Sequence, residues 1–211
     1  MQQKQAKLVK IHTQNPQMRL VEAVVDIMKQ DGVVAYPTDS GYALGCQLTS
    51  KKAFDRMCAI RKVDRHHNFT LMLTDLSNIS HYARLNNAHF RLLKQLLPGG
   101  YTFILPSTRL TPSALLQQKR KTIGIRISTH PVVQAMLTVL NEPLASVSLI
   151  LDQHIIYNAD DVYSHLNHQV DIIIDAGYCP PEPTTVVDLS QDKPQIIRQG
   201  SGNSQAFNTK N

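Results

Sequence analysis

The chain has 211 residues, 22 Lys and Arg against 16 Asp and Glu, and a formal charge of +6 with its 9 histidines neutral. A hydrophobic share of 42% and a charged share of 18% describe a globular chain and exclude a disordered one. The positive balance favours phosphate or polyanion partners. The 3 cysteines, Cys46, Cys58 and Cys179, form no CxxC pair, so neither a zinc signature nor a disulfide framework is expected. No apolar run approaches the roughly 18 residues of a membrane span, and no secretory leader is apparent. Together these lead us to expect a cytoplasmic protein with no membrane association.

In chain order, AKLVKIH reads as a strand. MRLVEAVVDIMKQDG has helical spacing and a stop at Gly32. VVAYPTDSGYALGCQL reads as strand, turn and strand. SKKAFDRMCAIRK predicts a helix starting at Ser50, and FTLMLTDL a strand. A helix over NNAHFRLLKQLLPGG ends at Pro98-Gly99-Gly100, followed by the strands YTFILPS and TIGIRIS. HPVVQAMLTVLN is a helix with Pro131 in its first turn. PLASVSLIL is expected as one buried strand. A short helix over DDVYSHLNHQ, the strand VDIIIDAG and two closing strands, PTTVVDLS and PQIIRQG, complete the order. The expectation is α/β: a single-domain, twisted, open mixed sheet with flanking helices, spanning residues 9–200. Residues 1–8 and 201–211 are expected to be short termini, the second of them frayed.

No Walker A loop, GxGxxG or GxSxG is present, and no metal-binding pair of the HExxH type. No metal is therefore expected. The basic cluster Arg61, Lys62, Arg65, His66, His67 closes the second helix, just before an apolar run. It reads either as a solvated helix end favoured by the dipole or as an anion site. Thr38, Asp39, Ser40 and Tyr42 surround a tight turn, which is either an ordinary turn or a small polar cradle. Lys119, Arg120 and Lys121 precede a strand carrying Arg126 between Ile125 and Ile127. Alternation turns Arg126 away from those isoleucines, onto a face that needs an anion or solvent. Arg198, followed by Gly200 and Gly202, fits a close approach of backbone to phosphate.

Five of these stretches, in this order, resemble the YrdC family of threonylcarbamoyl-AMP synthases. YPTDSGYALG is similar to its YPT[DE]TxYGLG, LPGGYTFIL to PGPxTxIL and GIRISTHPV to GxRxPxHP. PTTVVDL is similar to STVVDL and IIRQG to ILRPG. DSGYALGC, HNFTLML and KRKTIGIR look most like the YciO branch. The resemblance implies a concave, basic surface and synthesis of threonylcarbamoyl-AMP and pyrophosphate from L-threonine, bicarbonate and ATP. ATP would be a substrate, accompanied by Mg2+, with no tightly bound cofactor. By position it implies a threonine site at Thr38, Tyr42, Arg126 and Thr184, and a nucleotide-phosphate site at Arg61, Lys62, Ser148 and Arg198. It also implies affinity for structured RNA, tRNA or rRNA, which Arg65, Lys119, Arg120 and Lys121 would contact. Two departures bear on activity. The family's Lys-x-Arg stands here as Arg61-Lys62-Val63, and its Ser-x-Asn as Ser148-Leu149-Ile150. An apolar side chain supplies no phosphate contact, and one lost charged contact costs roughly two to three orders of magnitude in rate. The expectation is an ATP- and RNA-binding protein with weak synthase activity. The alternative is a non-catalytic structured-RNA binder acting in RNA modification or ribosome maturation.

Overall fold

A computed structural model describes residues 5–64, 67–116, 121–151, 153–191 and 193–207. β1 (Lys7–Lys10) leads into α1 (Met18–Lys29), then β2 (Val34–Thr38) and β3 (Gly41–Gln47). α2 (Lys51–Arg61) starts as predicted. The Ser50 hydroxyl accepts the Ala53 amide at 3.1 Å and caps it. β4 (Thr70–Met72), α3 (Ile79–Tyr82), α4 (Asn87–Leu96), β5 (Tyr101–Pro106) and β6 (Thr122–Arg126) follow. α5 (Pro131–Leu140) has Pro131 in its first turn. The chain continues through β7 (Leu144–Ser148), β8 (Ile150–Leu151), β9 (His154–Ile155) and α6 (Ala159–Leu166). It closes with β10 (Ile172–Asp175), β11 (Thr185–Asp188) and β12 (Gln195–Arg198).

Ten of these strands form one mixed sheet in the order β1-β10-β2-β3-β7-β4-β6-β5-β11-β12. β1, β10 and β2 run parallel, as do β4 with β6 and β5 with β11, while the other neighbours are antiparallel. The expected mixed, single-domain α/β sheet is therefore what forms.

The two faces are covered unequally, and that places the site. One face carries the larger core. Phe54 and Met57 of α2, Leu93 of α4 and Val162 of α6 pack there on Leu44, Phe103 and Ile125. On the other face α1 and α5 pack on β2, β3 and β10 through Val24, Val25, Val133, Met136, Val34 and Ile174. The rest of that second face, from β7 to β11, is left to line a cavity.

Three local expectations change. PLASVSLIL is not one strand: β7 ends at Ser148, and Leu149 donates its amide to the Tyr42 carbonyl at 2.8 Å. Ile150–Leu151 then pairs with His154–Ile155 in a separate ribbon, turned at Gln153 with φ 67°. The tail is not all frayed. Ser204–Phe207 forms a 3-10 turn and lays Phe207 on Tyr101 and Phe103, at ring distances of 6.1 and 6.2 Å. At the end of α1, Asp31 with φ 62° takes the left-handed position, and the Gly32 amide returns to the Ile27 carbonyl at 3.0 Å. Gly32 is still required, because a Cβ there would lie 2.5 Å from that carbonyl oxygen.

Candidate functional site

Strand alternation builds the site. Cross-strand registers align Ser146 with Thr70 and Gly124, and Gly124 with Ile104. The next row aligns Met72 with Arg126, and Val186 faces both Thr102 and Arg198. All of these line one cavity of about 450 Å³. That volume lies within the range of roughly 300–1,000 Å³ usual for small-molecule sites. Gly124 keeps its floor open, since a Cβ would lie 3.1 Å from Thr70 Oγ1. The rim brings in Arg61 and His67 from the end of α2 and the segment after it, Ser148 and Ile150 from β7 and β8, and Arg198 from β12.

Three guanidinium groups dominate the electrostatics. Arg126 is 5% exposed. Its Nη2 lies 2.9 Å from Asp39 Oδ1, an ion pair whose angle does not make a hydrogen bond, and its Nε has no partner among the described residues. The Ser128 hydroxyl also donates to Asp39 Oδ1. Asp39 thus fixes Arg126 from below through the turn between β2 and β3. Arg198 sends Nε and Nη2 to the Thr184 carbonyl at 3.2 and 3.0 Å. The Thr184 hydroxyl meets Thr102 Oγ1 at 2.8 Å. Arg61 Nη1 donates to the Ile150 carbonyl, and Arg61 Nε is buried without a partner among the described residues. Burial lowers the pKa of Arg61. Burial, then the neighbouring charge of Arg126, lowers that of Arg198. Both stay cationic near neutrality because free guanidinium titrates so high. The lining contains no carboxylate among the described residues. The cavity therefore has a cationic lining, with hydroxyls on its floor and an apolar wall of Ile104, Val186, Ile197 and Ile150.

The residues expected from the sequence divide accordingly. Arg61, Arg126, Ser148, Thr184 and Arg198 come together in the cavity. Thr38 and Tyr42 do not line it. The Thr38 hydroxyl is spent on the Gly41 carbonyl at 2.7 Å, inside the turn. Tyr42 alternates onto the larger core with 1% exposure and donates its hydroxyl to the Ile174 carbonyl at 2.8 Å. Lys62 takes the left-handed position that ends α2 and points to solvent. Val63 packs against the core. Lys121 is exposed at the start of β6, away from the cavity. Arg65, His66, Lys119 and Arg120 lie outside the described residues. Sequence reading missed Thr70, Thr102 and Ser146, and it placed Asp39 in the turn without its pairing to Arg126. The signal was available, because each of the three hydroxyls has an apolar residue on either side of it in its strand or just before it.

Two histidines link this region to pH. His67 lines the cavity, and burial, then Arg61, lowers its pKa against an opposing Asp64. His130 caps α5 by accepting the Val132 amide on Nδ1 at 3.3 Å. Burial lowers its pKa against an opposing Asp39. A histidine whose folded pKa lies below its unfolded value of about 6.5 binds fewer protons when folded. Stability is therefore retained above that value and lost as pH falls through it toward the folded pKa. We expect a lower melting temperature at pH 5.5 than at 7.5. His130→Asn, which keeps a capping oxygen, should flatten that slope; an unchanged slope in the variant would remove His130 from the account.

The Sua5/YciO/YrdC family profile, described as "Telomere recombination", matches residues 26–200. The chain belongs to this family. YciO of Escherichia coli K12 is 48% identical over 199 residues, covering 93% of this chain and 97% of YciO. The crystal structure of E. coli YciO superposes with a TM-score of 0.92 at 46% identity, over 96% of this chain and 99% of that one. A threonylcarbamoyl-AMP synthase of Vibrio vulnificus is 30% identical over 185 residues, covering 85% of this chain and 98% of the synthase. P. abyssi Sua5, solved in complex with L-threonine, shares the fold with a TM-score of 0.85 at 19% identity, over 92% of this chain and 57% of that one. Among the described residues no helix is long and apolar enough to cross a membrane. No group of three or more His, Cys, Asp or Glu side chains converges there either.

Proposed function

We propose that the cavity binds a nucleotide and a small amino acid, and that the chain makes threonylcarbamoyl-AMP and pyrophosphate from L-threonine, bicarbonate and ATP at a low rate. The observation that carries this reading is Arg126: nearly buried, lining the cavity, with Nε unpartnered among the described residues and with Arg61 and Arg198 lining the same cavity. A buried guanidinium with a free donor calls for an anion. Membership of a family that contains threonylcarbamoyl-AMP synthases supports the choice of reaction.

In this reading Arg126 and Arg198 neutralise the phosphate attacked by the carbamate. The hydroxyls of Thr70, Thr102, Thr184 and Ser146 orient the polar substrate atoms. The charges are already in place before reaction, which is how such sites lower a barrier. The lining residues do not make a magnesium site, because none among those described is a carboxylate. Magnesium would enter only with the nucleotide, neutralising its phosphates, and no step is assigned to it. Val63 packs against the core and Ile150 lies on the wall, and neither apolar side chain contributes a phosphate contact. We therefore expect turnover roughly two to three orders of magnitude below that of enzymes with charged groups there. Pyrophosphate release with threonine, bicarbonate and ATP measures it. No release above background from folded protein would remove the catalytic half of the proposal.

Arg198→Ala should weaken nucleotide binding by roughly tenfold to a hundredfold, the range for loss of a charged hydrogen bond. Calorimetry checks this, and unchanged affinity would dissociate Arg198 from the site.

A second reading, binding of structured RNA such as tRNA or rRNA, draws on the +6 charge and the exposed Lys62 and Lys121. Phosphate contacts release counterions, so retention of a tRNA on filters should fall steeply with salt. No retention at low salt would sink this reading.

A further inference from the structure

We propose that Tyr36 is a positioning residue: its buried phenol turns the Ser146 hydroxyl into a fixed hydrogen-bond donor to an acceptor oxygen of the ligand in the cavity. The inference rests on the ligand-binding reading above and concerns how that site is organised. Tyr36 lies on β2 and Ser146 on β7, with β3 between them. Yet Tyr36 Oη and Ser146 Oγ are 2.6 Å apart. Gly45 allows this reach. It stands in register between Val34 of β2 and Ser146 of β7. A Cβ there would lie 2.7 Å from Tyr36 Cε1. The phenol ring therefore crosses β3 where that strand has no side chain.

The surroundings fix the direction of the bond. Tyr36 is 0% exposed, and its hydroxyl has no other partner among the described residues. Were Ser146 the donor, the phenolic proton would be buried without an acceptor, and a stranded donor costs more than a neutral hydrogen bond contributes. Tyr36 thus donates. Ser146, which lines the cavity, accepts that bond and keeps its own proton for the cavity side. Burial pushes the phenol up to about 12, against the Ser146 bond and the charge of Arg126, so it keeps the proton it donates throughout the neutral range. A side chain ordered before binding has less freedom to lose when the ligand arrives. A donor set at that point takes a carboxylate, carbamate or phosphate oxygen and turns away an ammonium group. It adds a neutral, aimed contact to the charges of Arg61, Arg126 and Arg198.

The test is a double-mutant cycle on the full chain, with Tyr36→Phe, Ser146→Ala and both, read by calorimetric titration with ATP and with L-threonine. Tyr36→Phe keeps the ring and removes only the hydroxyl. It should weaken one of the two ligands by about threefold to tenfold, the range for one neutral hydrogen bond. Ser146→Ala should weaken the same ligand at least as much, and Tyr36→Phe should have no further effect in that background. An equally large loss on Tyr36→Phe without Ser146 would make Tyr36 a packing residue and overturn the inference. Parent-like affinities for both ligands in Tyr36→Phe would overturn it too, while the ligand reading stands on the binding of the parent. If the parent binds neither ligand, that reading fails and the inference goes with it. Urea midpoints show whether each protein is read in its folded state. If Tyr36→Phe does not fold, Ser146→Ala decides alone, and unchanged affinity for both ligands overturns the inference.

Discussion

Arg126→Ala should lose at least a hundredfold in nucleotide affinity and about 3 kcal/mol of stability, for two different reasons. The affinity loss follows from removing the guanidinium whose Nε is free among the described residues. The stability loss follows from Asp39. Its carboxylate lies 2.9 Å from Arg126 Nη2 and would be left without that cation. Breaking a buried pair from one side costs roughly 3–5 kcal/mol. The lower end applies because the Asp39 side chain keeps 17% exposure. The two effects separate in the double variant Asp39→Asn with Arg126→Gln, which removes both charges and retains hydrogen-bonding groups. It should recover most of the lost stability and none of the binding. Urea unfolding and calorimetry on the three proteins decide it. Nucleotide affinity in the double variant equal to that of the parent would show that the charge of Arg126 is not part of the site.

The asymmetry of the sheet explains how much of this was legible beforehand. Elements were readable wherever period and punctuation agreed: Ser50 before α2, Pro131 at the start of α5, and the strict alternation of Tyr101–Pro106. Arg126 was readable too, because a charge between two isoleucines on a strand must face away from them. Tyr42 shows where such reading stops. It neighbours the turn in sequence, yet one step along β3 decides which face of the sheet it occupies. Ala43 lines the cavity while Tyr42 fills the opposite core. Only the paired register, with Ala43 opposite Ser148, fixes that choice. The break after Ser148 was hidden for a similar reason. LASVSLIL holds no glycine, proline or charged residue to mark a break, and the separation of Ile150–Leu151 depends on a hairpin turn at Gln153 and on the Leu149 amide bonding across to Tyr42. Phe207 lay beyond a polar stretch, and its burial depends on Tyr101 and Phe103, about a hundred residues earlier in the chain.

Phe69→Ala should cost about 3–5 kcal/mol, the usual range for deleting a buried aromatic ring. Phe69 is 1% exposed and packs against Phe54 at a tilt of 59°, with ring centroids 4.6 Å apart, so the ring ties α2 to the start of β4 in the interior of the sheet. It also supports the rim. His67 meets it edge-on at 5.4 Å, and the Phe69 carbonyl accepts the Gly124 amide at 3.3 Å beside the cavity floor. Loss of the ring removes the packing that holds the end of α2, and with it Arg61, over the cavity. Nucleotide affinity should therefore fall together with stability. Phe69→Leu, which keeps most of the volume, should cost less than about 1.5 kcal/mol and leave the rim in place. Urea midpoints and nucleotide titrations of both variants test the link. If Phe69→Ala lost stability while binding nucleotide as well as Phe69→Leu does, the rim would be held by the backbone alone. The ring would then belong to the core and not to the site.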